Sequence, residues 1–300
     1  MTEHSRTFSS VRIGHWTNPA STSGCSVLLF DSLTPAVVDV RGGAPGTRET
    51  DLLGSGRTVR SVDAIVLTGG SAFGLASADG VMRYLREVGR GYATAAGAVP
   101  IVSAAVIFDL RQGAAALPDA ESGYLACQNA VQLPLDFAGR VGGGAAATIR
   151  KLWGPEHLLP GGLGVSTVET AFGSVTSVLV LNAAGAPCQG DAKSLDRAGS
   201  AAFSREMLYS GDFLLENRES TAIGAIIVEG TSDYALLERC AISAHVGLAR
   251  SISPAHTVFD GDVFFAAGLN PGLPDRGAYL ALPTATEVAV EQTIEAILAL

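Results

Sequence analysis

Ser220–Gly230 reads STAIGAIIVEG, and it follows a stretch of a different kind. From Ala222 to Val228 every residue is Ala, Ile, Val or Gly, so the run reads as a buried strand closed by Glu229-Gly230. Upstream, between Gly185 and Ser220, the charge is mixed and the strand pattern weak, the composition of an exposed connector. Similar short β-branched runs lie at Ser26–Phe30, Ala36–Val40, Ala64–Leu67, Ser174–Leu181 and Val263–Ala266, each bounded by Gly, Pro, Asn or Asp. Helical periodicity appears at Ala72–Val88, Ser232–Ile252 and Ala285–Leu300. In the second of these, Leu236, Leu237, Cys240, Ala241, Ala244, Leu248 and Ile252 form one face, and Ser232 or Asp233 can cap the start. Strands are not strictly followed by helices, so a layered α+β fold is expected rather than a doubly wound parallel sheet.

Composition narrows the function classes. In 300 residues, 47% are hydrophobic and only 16% charged, which excludes a disordered chain; 36 glycines without a three-residue period exclude collagen. A net charge of −9 argues against nucleic acid or an anionic membrane as partner. The apolar stretch Ala95–Phe108 is broken by Gly97, Pro100 and Ser103 and is too short to span a bilayer. Cys25, Cys127, Cys188 and Cys240 are scattered and MTEHSRTFSS lacks an apolar signal core, so reduced thiols in a cytoplasmic protein are expected. His4, His15, His157, His245 and His256 have no metal-ligand spacing; neither metal nor cofactor is expected. Only Lys151 and Lys193 are lysines, which draws attention to both.

Four segments could carry chemistry. VGGGAAATIRK (Val141–Lys151) is Gly-rich, but Arg150 and Leu152 flank the lysine where a phosphate loop needs Gly and Ser or Thr; a tight turn with close backbone packing explains it too. LTGGSAFG (Leu67–Gly74) is a strand-to-helix turn with Ser71 near the position of a nucleophile elbow, yet Phe73 breaks that pattern, and Ser71 as an N-cap fits equally. In FDGD (Phe259–Asp262), an extended chain sends Asp260 and Asp262 to one face, where burial would raise one pKa; a hairpin turn at Asp-Gly is the alternative. Last is Ser220-Thr221-Ala222, a Thr opening a strand, unremarkable by itself.

Taken in order, seven segments resemble one family: IGHWT from Ile13, VDVRGGAPGTRETDLL from Val38, IVLTGGSAFGLASADGVMRYL from Ile65, VGGGAAATIRK, VLVLNAAG from Val178, STAIGAIIVEG, and AHVGLARSISPAHTVFDGDVFF from Ala244. The family is that of the self-cleaving L-aminopeptidase D-amidase/D-esterases, with the β-peptidyl aminopeptidases and the nylon-oligomer endo-hydrolases. The resemblance implies a four-layered αββα sandwich in one domain (residues 1–300), homo-oligomeric assembly, and one self-cleavage. By register the cut falls between Ser220 and Thr221, giving chains 1–220 and 221–300 with Thr221 as N-terminal nucleophile. A free α-amine titrates near pH ~8, so one residue can supply both hydroxyl and base.

The resemblance further implies that Asp260 and Asp262 orient the Thr221 hydroxyl and stabilise its ammonium form. Lys151 and Asn182 match a lysine and an asparagine suited to a carbonyl oxygen gaining negative charge. The family's N-T-T around the cut is here Ser220-Thr221-Ala222, and Phe108 stands in a presumed substrate pocket where relatives carry Tyr. The implied substrate is a small amine-bearing peptide, a β- or D-amino acid amide, or an ω-amino acid oligomer. Two alternatives stay open: an acyltransferase of the ornithine acetyltransferase type, and an unprocessed, non-catalytic binding homologue.

Overall fold

The computed structural model describes residues 7–20, 22–110, 116–188, 219–270 and 274–300. Its first sheet is built from β1 (Thr7–Thr17), β2 (Gly24–Val40), β3 (Thr47–Arg48), β4 (Ser61–Thr68), β5 (Val102–Val106) and β6 (Val131–Pro134). Its second adds β7 (Asp136–Gly139), β8 (Gly162–Thr170), β9 (Gly173–Asn182), β10 (Thr221–Glu229) and β11 (Val263–Leu269). The orders are β3-β5-β4-β2-β1-β6 and β2-β11-β10-β9-β8-β7, with β2 common to both. Two of the expected strands, Ser26–Phe30 and Ala36–Val40, are therefore the halves of one 17-residue strand. The chain stays extended through the interruption because Thr34 and Pro35 still pair with Val62 and Ser61, and the Ala36 N–H reaches the Arg60 carbonyl. The first half pairs with β1 and β4, the second with β11.

Side-chain alternation along the strands separates three cores. Between the sheets lie Leu28, Phe30, Ile65 and Leu67 from one and Val178, Ile223, Ile227 and Phe265 from the other. Val27, Leu29 and Val66 point the opposite way, onto Ala78, Val81 and Leu85 of α2 (Ser77–Glu87), beside which packs α3 (Ala120–Gln128). Ala222, Ile226 and Phe264 meet Leu237 and Leu248 of α4 (Tyr234–Ser251) and Ile294 of α5 (Ala278–Leu298). The result is helices, sheet, sheet, helices: the αββα arrangement of an α+β protein. Each fully buried Leu, Ile or Phe in these layers contributes about 1.5–3 kcal/mol.

One local expectation is resolved and two change. Asp233 caps α4, its carboxylate accepting the Leu236 N–H at 2.9 Å. The run Ala72–Val88 is divided into α1, a single turn (Ser71–Gly74), and α2, and the cap of α1 is Gly70 rather than Ser71. Gly70 sits at φ +83° with its N–H on Asp109 Oδ1 (2.7 Å), a left-handed position that suits glycine. The C-terminal helix begins at Ala278 rather than Ala285 and holds Pro283 inside it, because Ala278 and Leu282 are buried in the core and extend the apolar face across the proline. No described helix is long and apolar enough to cross a membrane.

One topological detail places the site. β10 and β11 are parallel, joined through α4, so their N-terminal ends meet at the same edge although they lie 263 − 221 = 42 positions apart in the chain. β9 runs antiparallel to β10, which brings its last residue, Asn182, opposite Thr221.

Candidate active site

Thr221 is the first residue of β10 and is 5% exposed. Its hydroxyl is hydrogen-bonded to the carbonyl oxygen of Ser220, so it lies against the peptide that precedes it. That carbonyl also accepts the Gly261 N–H at 2.9 Å, while the Ser220 N–H donates to the Phe259 carbonyl at 3.2 Å. Glycine is required at 261 by close approach: a Cβ there would stand 2.9 Å from Thr221 Oγ1 and 2.7 Å from the Ala44 carbonyl oxygen.

The acid pair precedes β11 in a short segment bridged to Ser220, and not in a hairpin, since β11 is parallel to its neighbour β10. Both carboxyls are about 1% exposed. Asp262 Oδ1 accepts the Ala222 N–H at 2.7 Å, the amide just beyond Thr221, and Oδ2 accepts from His256 Nδ1 at 2.8 Å. Asp260 Oδ2 takes the Thr257 N–H and hydroxyl at 2.8 and 2.7 Å, and Oδ1 the Ala184 N–H at 3.3 Å. Burial first, and the Asp262 charge second, push the Asp260 carboxyl above the usual carboxylate range. The loop Arg41–Ala44 clamps this segment from outside: Arg41 and Gly42 N–H groups reach the Asp262 carbonyl and Ala44 N–H the Asp260 carbonyl.

Lys151 and Asn182 are tied together on the other side of Thr221. In the Gly142–Gly144 turn, Gly143 and Gly144 pack on the backbone of Leu67 and Leu163, and Arg150 follows in the left-handed region (φ +65°), delivering Lys151 into the interior at 4% exposure. Lys151 Nζ donates to the Asn182 carbonyl oxygen at 2.5 Å. The Asn182 side chain accepts the Thr148 N–H at 3.0 Å and donates to the Phe108 carbonyl at 3.1 Å. Its amide carries two protons, of which Phe108 takes one.

A cavity of about 200 Å³ opens beside Thr221, lined by Ser220, Phe108, Val106, Phe259, Pro45 and Ser71 among others. Asp260, Asp262, Lys151 and Asn182 are buried behind this wall; Phe108 is on it. Ser71 faces the same cavity at φ +52°, a strained backbone for a residue other than glycine, so the turn has an elbow-like conformation despite Phe73. Sequence reasoning gave Ser71 no part beside Thr221, and it passed over His256 and His245. The signal for Ser71 was the pair of glycines after a buried strand; for the histidines, 11 residues apart, spacing carried none. No group of three or more His, Cys, Asp or Glu among the described residues could hold a metal ion.

Residues 8–299 match peptidase family S58. An uncharacterized aminopeptidase of Mycobacterium tuberculosis H37Rv is 40% identical over 303 residues, covering 93% of this chain and 85% of its own. A 6-aminohexanoate-oligomer endohydrolase of Agromyces sp. is 29% identical over 278 residues, 86% of this chain and 73% of its own. Among solved structures, a Burkholderia sp. β-aminopeptidase superimposes with a TM-score of 0.68 at 19% identity, over 96% of this chain and 84% of that one. The L-aminopeptidase D-Ala-esterase/amidase of Ochrobactrum anthropi, a variant of the Ntn hydrolase fold, gives 0.65 at 16%, over 95% and 82%. At such identities these two likenesses speak for the fold, which is theirs. The family match runs from the first described strand to the last helix and takes in every segment of the site just described: the chain belongs to peptidase family S58 and is a hydrolase of peptide or amide bonds.

Proposed function

We propose that this protein is an N-terminal-nucleophile aminopeptidase or amidase that cuts itself between Ser220 and Thr221. The observation that carries the reading is the Thr221 hydroxyl lying against the Ser220 carbonyl, whose oxygen the Gly261 N–H already polarises. Attack of Oγ on the Ser220 carbonyl carbon breaks the C–N bond and forms an ester, with the proton passing to the Thr221 nitrogen. Water then hydrolyses the ester, leaving chain 1–220 with a carboxylate and chain 221–300 with a free α-amine, both in one domain.

In turnover that amine takes the hydroxyl proton as Oγ attacks the substrate carbonyl, and the proton leaves with the departing amine. Water releases the acid from the acyl-enzyme and restores Thr221. Asp260 and Asp262 orient the hydroxyl and stabilise the ammonium form. Lys151 and the second Asn182 proton stabilise the oxyanion, and each such donor contributes about 3 kcal/mol. Phe108 and the apolar cavity wall hold the acyl group. The substrate is a small amine-bearing peptide, a β- or D-amino acid amide, or an ω-amino acid oligomer of the sort named for the Agromyces relative. The enzyme acts in the cytoplasm as a homo-oligomer and needs no metal.

Denaturing mass spectrometry tests this. The parent is expected to give fragments 1–220 and 221–300, and Thr221→Ala one intact chain that is silent toward β-, D- and L-amino acid p-nitroanilides. Fragments that persist in Thr221→Ala remove Thr221 from the role.

A further inference from the structure

His256 is held tightly to Asp262 although the chemistry just described does not use it. Asp262 Oδ2 receives both the His256 ring Nδ1 at 2.8 Å and its backbone N–H at 3.1 Å. The residue adopts φ +56°, a strained conformation for a side chain of this size, so the contact persists against a backbone penalty of about 1–3 kcal/mol. Its ring stands edge to face on His245 of α4, centroids 4.8 Å apart. His245 is 2% exposed, with Nε2 3.0 Å from the Asp39 carbonyl oxygen and 3.7 Å from the Asp39 carboxylate, which Arg41 grips through two bonds of 2.8 and 3.0 Å. The ionisable groups around His256 are thus Asp262 and Asp260 on one side and His245, with Asp39 and Arg41 behind it, on the other.

Charge accounting fixes what this cluster does. Asp262 receives the Ala222 N–H, the His256 backbone N–H and, from the imidazolium form, the His256 ring N–H, a set of donors that suits a carboxylate. Two ionised carboxylates in one buried segment repel, and a cation on the first relieves the second. His245 cannot be that cation at ordinary pH, because burial drives its pKa down to about 4. His256 can: burial opposes its protonation, but the bond to Asp262 and that carboxylate's charge outweigh it and move the pKa above the ordinary value.

We infer that His256 is the positioning residue of this site: its imidazolium fixes Asp262 as the ionised member of the acid pair and, through the Ala222 amide, fixes where Thr221 stands. The inference deepens the reading of Thr221 as a self-cleaving nucleophile and rests on it. His256→Asn keeps an N–H donor toward Asp262 and loses the charge; His256→Ala loses both. The rate of self-cleavage against pH, followed by denaturing mass spectrometry, separates the two parts. His256→Asn is expected to keep its plateau rate within about threefold while its acid limb, set by Asp260, moves up by about one pH unit as the neighbouring cation is lost. His256→Ala is expected to slow at every pH by about 10–100-fold. An acid limb that stays in place in His256→Asn overturns the inference. A second arm does not depend on cleavage. In the uncut Thr221→Ala chain, the His256 ring followed by NMR is expected to titrate above 6.5 and to fall by about one unit on adding Asp262→Asn; no fall overturns the inference. A parent that never cuts itself sinks the nucleophile reading, while the NMR arm still decides the role of His256.

Discussion

Gly261→Ala puts one methyl group between the hydroxyl and the backbone that holds it. The added Cβ lies 2.9 Å from Thr221 Oγ1, 2.7 Å from the Ala44 carbonyl oxygen and 3.2 Å from Pro45 Cα. To reach the 3.4 Å at which ordinary contact begins, the hydroxyl must retreat by about 3.4 − 2.9 = 0.5 Å or the Ala44 carbonyl by about 3.4 − 2.7 = 0.7 Å. Either movement disturbs the site, because Ala44 N–H holds the Asp260 carbonyl and Gly261 N–H holds the Ser220 carbonyl. A misplacement of about 1 Å costs on the order of a hundredfold in rate, and loss of one oxyanion donor about 3 kcal/mol, again on the order of a hundredfold. The shifts are about half to seven-tenths of that size and overlap in their effect, so self-cleavage is expected to slow by about 10²–10³-fold, or ~3–4 kcal/mol of barrier. Overpacking lowers stability by about 1–3 kcal/mol, which a urea titration reads separately. The assay is a time course of fragments 1–220 and 221–300 by denaturing mass spectrometry. A folded Gly261→Ala protein that cuts itself within about threefold of the parent rate refutes the placement of that carbonyl and hydroxyl.

Asn182→Ala is expected to lower kcat for an amino acid p-nitroanilide by about 10²–10³-fold and to destabilise by about 1–3 kcal/mol through the unpaired Thr148 N–H and Phe108 carbonyl; an unchanged kcat removes it from the oxyanion role. Phe108→Tyr adds a hydroxyl to the cavity wall and is expected to change KM while self-cleavage stays within about twofold; equal changes in both argue that Phe108 supports the nucleophile instead. His245 supplies a pH signature: burial lowers its pKa from 6.5 to about 4, so the unfolded chain binds the extra proton between those values. Its contribution is complete above about pH 6.5 and is lost as pH falls toward 4, about 3 kcal/mol in all. His15, lowered to a similar value, adds its own share. Urea midpoints at pH 7 and 4.5 are expected to fall with acid in the parent and less steeply in His245→Gln; parallel slopes contradict it.

Most of the layering could be read from apolar runs, because Ile223, Ile227 and Phe265 on one face and Ala222, Ile226 and Phe264 on the other leave no wet side to the strands. The acid pair, Lys151 as one of only two lysines, and the threonine at a strand start are visible as residues, while Lys193 lies outside the described residues. Their convergence was not, since it depends on β10 and β11 running parallel, which apolar pattern does not encode. The continuity of β2 is hidden by Pro35, whose usual role as a breaker is overridden by pairing of Thr34 and Pro35 with β4 and of Ala36–Val40 with β11. The two glycines before Ser71 suit a cap as well as an elbow; in the fold Gly70 takes the left-handed cap and Ser71 faces the cavity. His256 depends on how the chain folds back after α4 onto Asp262, a contact with no local signature.

β10 and β11 are interior strands, flanked by β9 on one side and by β2 on the other. A cut before Thr221 would therefore leave the new terminus inside the sheet: the 80 residues from 221 to 300 carry strands threaded among members that belong to the first 220. What changes is the unfolded state. One chain becomes two, refolding becomes a second-order encounter, and stability acquires a dependence on protein concentration. The uncut chain reaches the native fold in a unimolecular step, and a cut of the kind proposed would close that route behind the molecule. The lifetime of a protein so cut would rest on how slowly it unfolds, and its durability would be a matter of kinetics.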